Sequence, residues 1–244
     1  MKTSLIKPLL IILGSWLILW NTFLTLVSLG LGNRKSLAIM SMAWGLALVW
    51  ILLGGFLMYR HREKVRAFVQ KINLDWRIKF VLFATFLALL EEAVTVSLTN
   101  MAPLFGSRVG EAYITASANY FDVVFFHSVI VFIPLFIAWA ILLSKYDFKP
   151  FPTFLLFGIT GILAEISFGG LVQIFGFAQW IFVYGLMIYL PTYCLPKRPD
   201  AKPVSLWHHL GAIPLTLLIA LPLLLPIVLV ISNVLHHPSI HFAQ

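Results

Sequence analysis

Apolar runs of about 20 residues recur along the chain, each bounded by charged or turn-forming residues. A helix needs a run of about that length to cross a hydrocarbon core about 30 Å thick, at about 1.5 Å of rise per residue. Seven runs qualify: Leu9–Leu31, Leu37–Tyr59, Ile78–Leu98, Phe121–Leu143, Phe154–Phe175, Phe177–Leu195 and Leu210–Val234. They predict an all-α, polytopic transmembrane bundle of about seven spans, forming a single integral membrane domain over residues 1–244. Gly176 alone separates the fifth and sixth runs. With Gly169 and Gly170 it predicts either two full spans joined by a tight turn or a partly re-entrant hairpin. The first run follows Lys2 and Lys7, as in a signal sequence, but is too long for one and lacks a small-residue cleavage site, so it reads as an uncleaved span.

Between the second and third spans the periodicity changes. Over residues 60–79, Val65, Phe68, Val69, Ile72 and Trp76 recur at helical spacing among basic residues, which predicts an amphipathic helix along the anionic inner leaflet.

Composition narrows the class. The chain is 61% hydrophobic and 11% charged, with a mean hydropathy of +0.97. A soluble domain is about a quarter charged. A soluble enzyme, a disordered tail and a secreted disulfide module are thereby excluded, and Cys194, the only cysteine, reads as a packing residue. The net charge of +8 comes with no nucleic-acid motif, so nucleic acid is not an expected partner; membrane lipids are. The basic residues serve topology instead. Of the 17 Lys and Arg, only Arg34, Lys35 and Arg108 fall on one side of the seven-span arrangement; the rest fall on the other. That asymmetry predicts a cytoplasmic N-terminus and an external C-terminus. The expected setting is the plasma membrane of a prokaryote.

An ionisable residue at mid-span costs about 2.5–3.5 kcal/mol on insertion scales, so each one is a candidate for function. Glu91 and Glu92 lie in span three, Asp122 and His127 in span four and Glu165 in span five. Counting along the helices puts Glu91, Glu92 and His127 at one depth, about 10 Å below the outer boundary, with Glu165 nearer the midplane. Thr85, Ala88, Glu92, Thr95 and Thr99 form one small and polar stripe; Gly158, Gly161, Glu165 and Gly169 form another, suited to close helix approach or to a ligand. Adjacent carboxylates in a low dielectric cannot cheaply both ionise, so the Glu91–Glu92 pair reads either as functional or as a structural pair, one member protonated, that hydrogen-bonds neighbouring helices. Asp122 and His127 are about 140° apart on an α-helix. Asp122 therefore reads as an end cap with Asn119 rather than as a partner of His127. His237 and His241 have metal-ligand spacing, but Pro238 argues against a helix carrying both. The loop 99–120 is long for a compact bundle, and reads as a lid over the polar layer or as a plain linker.

A Glu-Glu pair in one span followed by a His in the next is similar to the membrane-embedded CAAX-type prenyl endopeptidase pattern. This chain has Val96 and Val123 where that pattern has Arg and Phe, and no third His motif in its last three spans. Three residues of resemblance do not assign the family.

The residues support one leading reading, a membrane-embedded hydrolase or group-transfer enzyme acting on a lipid-like or small-molecule substrate. In it Glu92 is the base or metal ligand, His127 its partner, and Glu91 and Glu165 supporting groups; a divalent metal is compatible with this set. A small-molecule or proton-coupled transporter and a non-catalytic membrane assembly or interaction protein are the alternatives.

The charge asymmetry predicts that reporters fused after Gln244 and within the loop 196–203 fall on opposite sides of the membrane. Reporters on the same side would reject seven spans.

Overall fold

The computed structural model describes residues 5–242, which form helices and no β-strand. Seven helices are long and apolar enough to cross a membrane: α1 (Ile6–Gly30), α2 (Arg34–Lys71), α3 (Trp76–Asn100), α4 (Tyr120–Lys145), α5 (Pro150–Gly169), α6 (Phe177–Tyr193, entered through a 3-10 turn at Leu171–Gly176) and α7 (Leu206–Val234). The protein is an integral, multi-pass membrane protein. Between α5 and α6 the chain turns at Gly170, whose φ of 77° suits a residue without a Cβ. The glycine-rich stretch thus joins two spanning helices.

Helix α2 differs from the pattern expected of it. It runs unbroken through 38 residues, about 57 Å of helix, well beyond the hydrocarbon thickness. Residues 60–71 are therefore helical as a continuation of the second span, not as a separate element. Val65 and Val69 pack against the core, whereas Phe68 is 68% exposed. The chain breaks after Lys71, and Asp75 starts α3 by accepting a hydrogen bond from the Arg77 backbone N–H at 2.8 Å.

Helix α6 is the hub. It packs against α1, α2, α3 and α5, while α4 packs on α3 and α7 closes the far side against α4 and α5. Buried residues make up 56% of the apolar windows of α4 and α5, against 17% in α1 and 11% in α7, so the two terminal helices offer most of their surface to lipid. Polar contacts fix the hub. Asn21 Nδ2 donates to Gln179 Oε1 at 2.8 Å between α1 and α6, and Trp50 Nε1 donates to the Val183 carbonyl at 3.0 Å between α2 and α6. In hydrocarbon no water competes for these groups.

The tightest packing joins α5 and α6, and glycine makes it possible. A Cβ at Gly158 would stand 2.7 Å from the Ile181 backbone, one at Gly161 would stand 2.0 Å from the Tyr184 ring, and one at Gly185 would stand 2.5 Å from the Phe154 ring. Small residues at a helix crossing let backbones approach where no hydrophobic effect drives association.

The end of the bundle that carries the basic loops is closed. Arg198 reaches back to Asp147 at 3.0 Å and to the Leu143 carbonyl, while Lys202 N–H donates to the Lys145 carbonyl at 2.9 Å. Burial pulls the Arg198 guanidinium below its usual range, and Asp147 opposes that shift. Burial also pushes the Cys194 thiol up to about 12, which agrees with a packing role.

Gly158→Ala should lower stability by about 1–3 kcal/mol, because its methyl group meets backbone that cannot give way. Gly14→Ala, which meets nothing within 4 Å, should be neutral or slightly stabilising. Denaturant titration of both variants in detergent checks the pair; equal effects would show that the α5–α6 contact is not tight.

Candidate functional site

Two polar groups occupy the end of the bundle opposite the basic loops. The first is a set of carboxylates. Glu91 and Glu92 on α3 are 4% and 5% exposed. Their helix turns Ala88, Thr95 and Thr99 inward as well, so the small and polar stripe faces the bundle. Glu92 Oε2 accepts from Thr95 Oγ1 at 2.9 Å and from Thr115 Oγ1 at 3.3 Å, and the Ser128 side chain on α4 lies close to it. Glu165 on α5 accepts from the Tyr184 hydroxyl on α6. The three glutamates lie within electrostatic reach of one another, and among the described residues no ion pair involves any of them. Gly161 is essential to this arrangement, since the Tyr184 ring occupies the space that a Cβ there would fill.

The loop after α3 folds onto this layer. Asn100 Nδ2 donates to the Ala118 carbonyl at 2.8 Å and Ile114 N–H to Thr99 Oγ1 at 3.3 Å. Ala102, Ala112 and Ser117 are buried. The segment is packed on the bundle, and its Thr115 reaches Glu92.

The second group centres on Asp122. Its Oδ1 lies 2.8 Å from His237 Nε2, and its Oδ2 lies 3.0 Å from His241 Nδ1 and 3.5 Å from His127 Nε2. This arrangement overturns two expectations. Asn119, not Asp122, caps the helix, its Oδ1 accepting from Phe121 N–H at 3.0 Å, which leaves the Asp122 carboxylate free. Asp122 and His127 also share a face. Residues 123–127 form a π-helical segment, in which i→i+5 hydrogen bonding widens the turn and brings positions five apart nearly into line.

The C-terminal residues supply the other two imidazoles without continuing α7. After a π-helical turn at Val230–Val234, His236 takes a φ of 50° and reverses the chain. His241 N–H then donates to the Ala116 carbonyl at 2.8 Å, and the Phe242 ring packs at a tilt on Tyr113 with ring centroids 4.8 Å apart. Pro238 ends the helix, as its chemistry requires, yet His237 and His241 meet on one carboxylate because the tail is folded back.

The sequence-derived residues are thus divided. Glu91, Glu92 and Glu165 lie within electrostatic reach of one another. His127 joins Asp122, and no hydrogen bond or ion pair joins it to Glu92; the α4 residue near that carboxylate is its neighbour Ser128. The two groups are therefore one residue apart along α4. Sequence reasoning passed over His237 and His241 as partners of Asp122; the signal available was the cluster of His236, His237 and His241 after the last span. Chemically, the carboxylates and their hydroxyl donors suit proton transfer. The Asp122 group offers the imidazole and carboxylate donors that divalent metals take, with ligand atoms of Asp122, His127 and His237 within 4.8 Å of one another. A groove of about 320 Å³ between α3 and α4 lies away from both groups, toward the basic loops, and is lined by Ile78, Val81, Leu82, Ile137 and Ile141 with Arg77.

Compared with known protein families, with curated proteins and with solved structures, the chain matches none.

Tyr184 and Glu165 should couple. A double-mutant cycle of Tyr184→Phe and Glu165→Gln, followed by unfolding in mixed micelles, is expected to give about 0.6–1.7 kcal/mol, the range of intramembrane hydrogen bonds. Additive effects would mean that the pair contributes nothing to the fold.

Proposed function

We propose that this protein is a membrane-embedded hydrolase or group-transfer enzyme acting on a lipid-like substrate. In this reading Glu92 is the general acid–base, Glu91 and Glu165 hold and relay protons beside it, and His127 borders the reaction space through Ser128. The site opens to the outer face of a prokaryotic plasma membrane, as the charge asymmetry implies.

One observation carries the reading. Three carboxylates from two helices lie within electrostatic reach of one another in the membrane with, among the described residues, no basic side chain paired to them; Glu92 accepts instead from the hydroxyls of Thr95 and Thr115, and Glu165 from that of Tyr184. Ion pairing would be the economical structural solution for buried acids; hydroxyl partners leave a carboxylate able to exchange a proton. The rest of the bundle argues against a carrier. Phe136, Trp139, Phe157 and Met187 are fully buried between this layer and the basic loops, so polar groups reach one end of the bundle and apolar packing fills the other. A purely structural partner protein has no need of such a layer.

The test uses purified full-length protein in detergent against ester-, amide- and phosphate-linked lipids. Turnover of one class is expected, and Glu92→Gln should lower it by about 10²- to 10⁴-fold with unchanged thermal stability. If the wild type acts on none of them, while proteoliposomes show Glu92-dependent proton-coupled uptake, the carrier reading replaces this one.

A further inference from the structure

We propose that Asp122, His127 and His237 bind one divalent transition-metal ion of the zinc type, with His241 holding the carboxylate ligand in position. The inference rests on the geometry of the Asp122 group alone and does not require the enzymatic reading above.

The distances from Asp122 to the two imidazoles bracket that of ligands sharing an ion. Two atoms each 2.0–2.1 Å from a tetrahedral zinc lie about 3.3 Å apart. His127 Nε2 lies 3.5 Å from Asp122 Oδ2, and His237 Nε2 lies 2.8 Å from Asp122 Oδ1. His127 Nε2 makes no hydrogen bond although the side chain is only 7% exposed. A buried ring nitrogen with no hydrogen-bond partner, 3.5 Å from a carboxylate oxygen, has room for an ion shared with that oxygen.

The tautomer of His237 gives independent support. Its Nδ1 lies 3.0 Å from the Pro238 carbonyl. A carbonyl oxygen only accepts, so Nδ1 carries the hydrogen. In the neutral ring Nε2 is then a bare lone pair, facing a carboxylate oxygen that is also an acceptor. Two acceptors at 2.8 Å require a cation between them or a second proton on the ring. A ring N–H donated to a backbone carbonyl is also how metal-bound histidines are usually oriented.

The surroundings fix the ligands in place. The π-helical turn brings His127 under Asp122, and the Phe126 ring stacks on the His237 ring with centroids 4.7 Å apart. His241 is half exposed and tethered by its backbone to Ala116, with its Nδ1 3.0 Å from Asp122 Oδ2. Two imidazoles and one carboxylate favour zinc and its neighbours over magnesium or calcium, which prefer all-oxygen sites. Three protein ligands leave a position for water, and the third imidazole, that of His241, stands at the solvent side.

The full-length protein, stripped with a chelator in detergent, is titrated with Zn²⁺ and, separately, with Co²⁺. About one ion per chain is expected, with Co²⁺ giving the visible d–d bands of a low-coordinate nitrogen and oxygen site. X-ray absorption of the zinc-loaded wild type should show two imidazole nitrogens at about 2.0–2.1 Å, a readout that needs no variant. His237→Ala and Asp122→Ala should each weaken binding by more than about 100-fold, and His241→Ala by about 10- to 100-fold as a supporting residue. Glu92→Gln should leave the metal content unchanged, which separates this site from the acid–base reading. The proposal is overturned if the wild type takes up no stoichiometric ion, or if the bound zinc shows no imidazole shell. It is also overturned if well-folded His237→Ala protein binds zinc as the wild type does; Asp122 and His237 would then be a plain imidazolium–carboxylate pair.

Discussion

Backbone-to-backbone approach of α5 and α6 is the constraint on which the rest of the bundle depends. In water such a crossing would be driven by burying apolar surface, but lipid tails are as apolar as leucine and supply no such drive. What remains is close van der Waals contact, and Gly158, Gly161 and Gly185 allow it. Once α6 is seated on α5, its other faces receive α1 through Gln179, α2 through the Val183 carbonyl, and α3. The same crossing brings the Tyr184 hydroxyl to Glu165. A methyl group at Gly161 would disturb both the packing of the hub and the hydrogen bond between Tyr184 and Glu165.

The two ends of the molecule solve different problems. At the basic end the loops are tied by Arg198 to Asp147 and by backbone pairing around Lys145 and Lys202, and the space beneath is filled by Trp139 and Phe148 in edge-to-face contact. At the other end polar side chains are buried in numbers that packing alone does not call for. Asp122, Glu91, Glu92, Thr95, Thr99 and Ser117 are all buried there. The loop after α3 and the tail after α7 cover them, and each supplies a polar group to the layer it covers. Thr115 does so for Glu92, and His237 and His241 do so for Asp122.

Helix geometry departs from the ideal in the middle of α2, where residues 47–54 are π-helical, and twice at that polar end. Residues 123–127 and 230–234 are both π-helical, and the first of these decides which side chains meet. Without the widened turn, His127 would point about 140° away from Asp122. With it, α4 presents Asp122 and His127 to one group and, at the next residue, Ser128 to the other. A single local change of helical pitch therefore couples the two polar groups along one helix.

The class of protein, the number of spanning helices and the burial of Glu91 and Glu92 follow from the sequence alone. Hydropathy and helical phase are local properties, and a membrane leaves the backbone few other options. Counting depth along the helices puts Glu91 and Glu92 about 10 Å below the outer boundary and Glu165 nearer the midplane. It also put His127 beside Glu92, because an ideal pitch was assumed through residues 123–127. Pitch there is set by long-range packing, and so is the reversal at His236 that carries His237 and His241 back across the end of the bundle. No local pattern encodes a contact between residues 115 or more positions apart, such as Asp122 with His237. The long continuation of α2 was hidden for a similar reason: an amphipathic period reveals a helix, while its direction depends on where Val65 and Val69 find the rest of the core. The partners of each polar side chain were thus settled by the tertiary structure, because depth along a helix can be counted from the sequence and rotation about it, once the helix departs from ideal form, cannot.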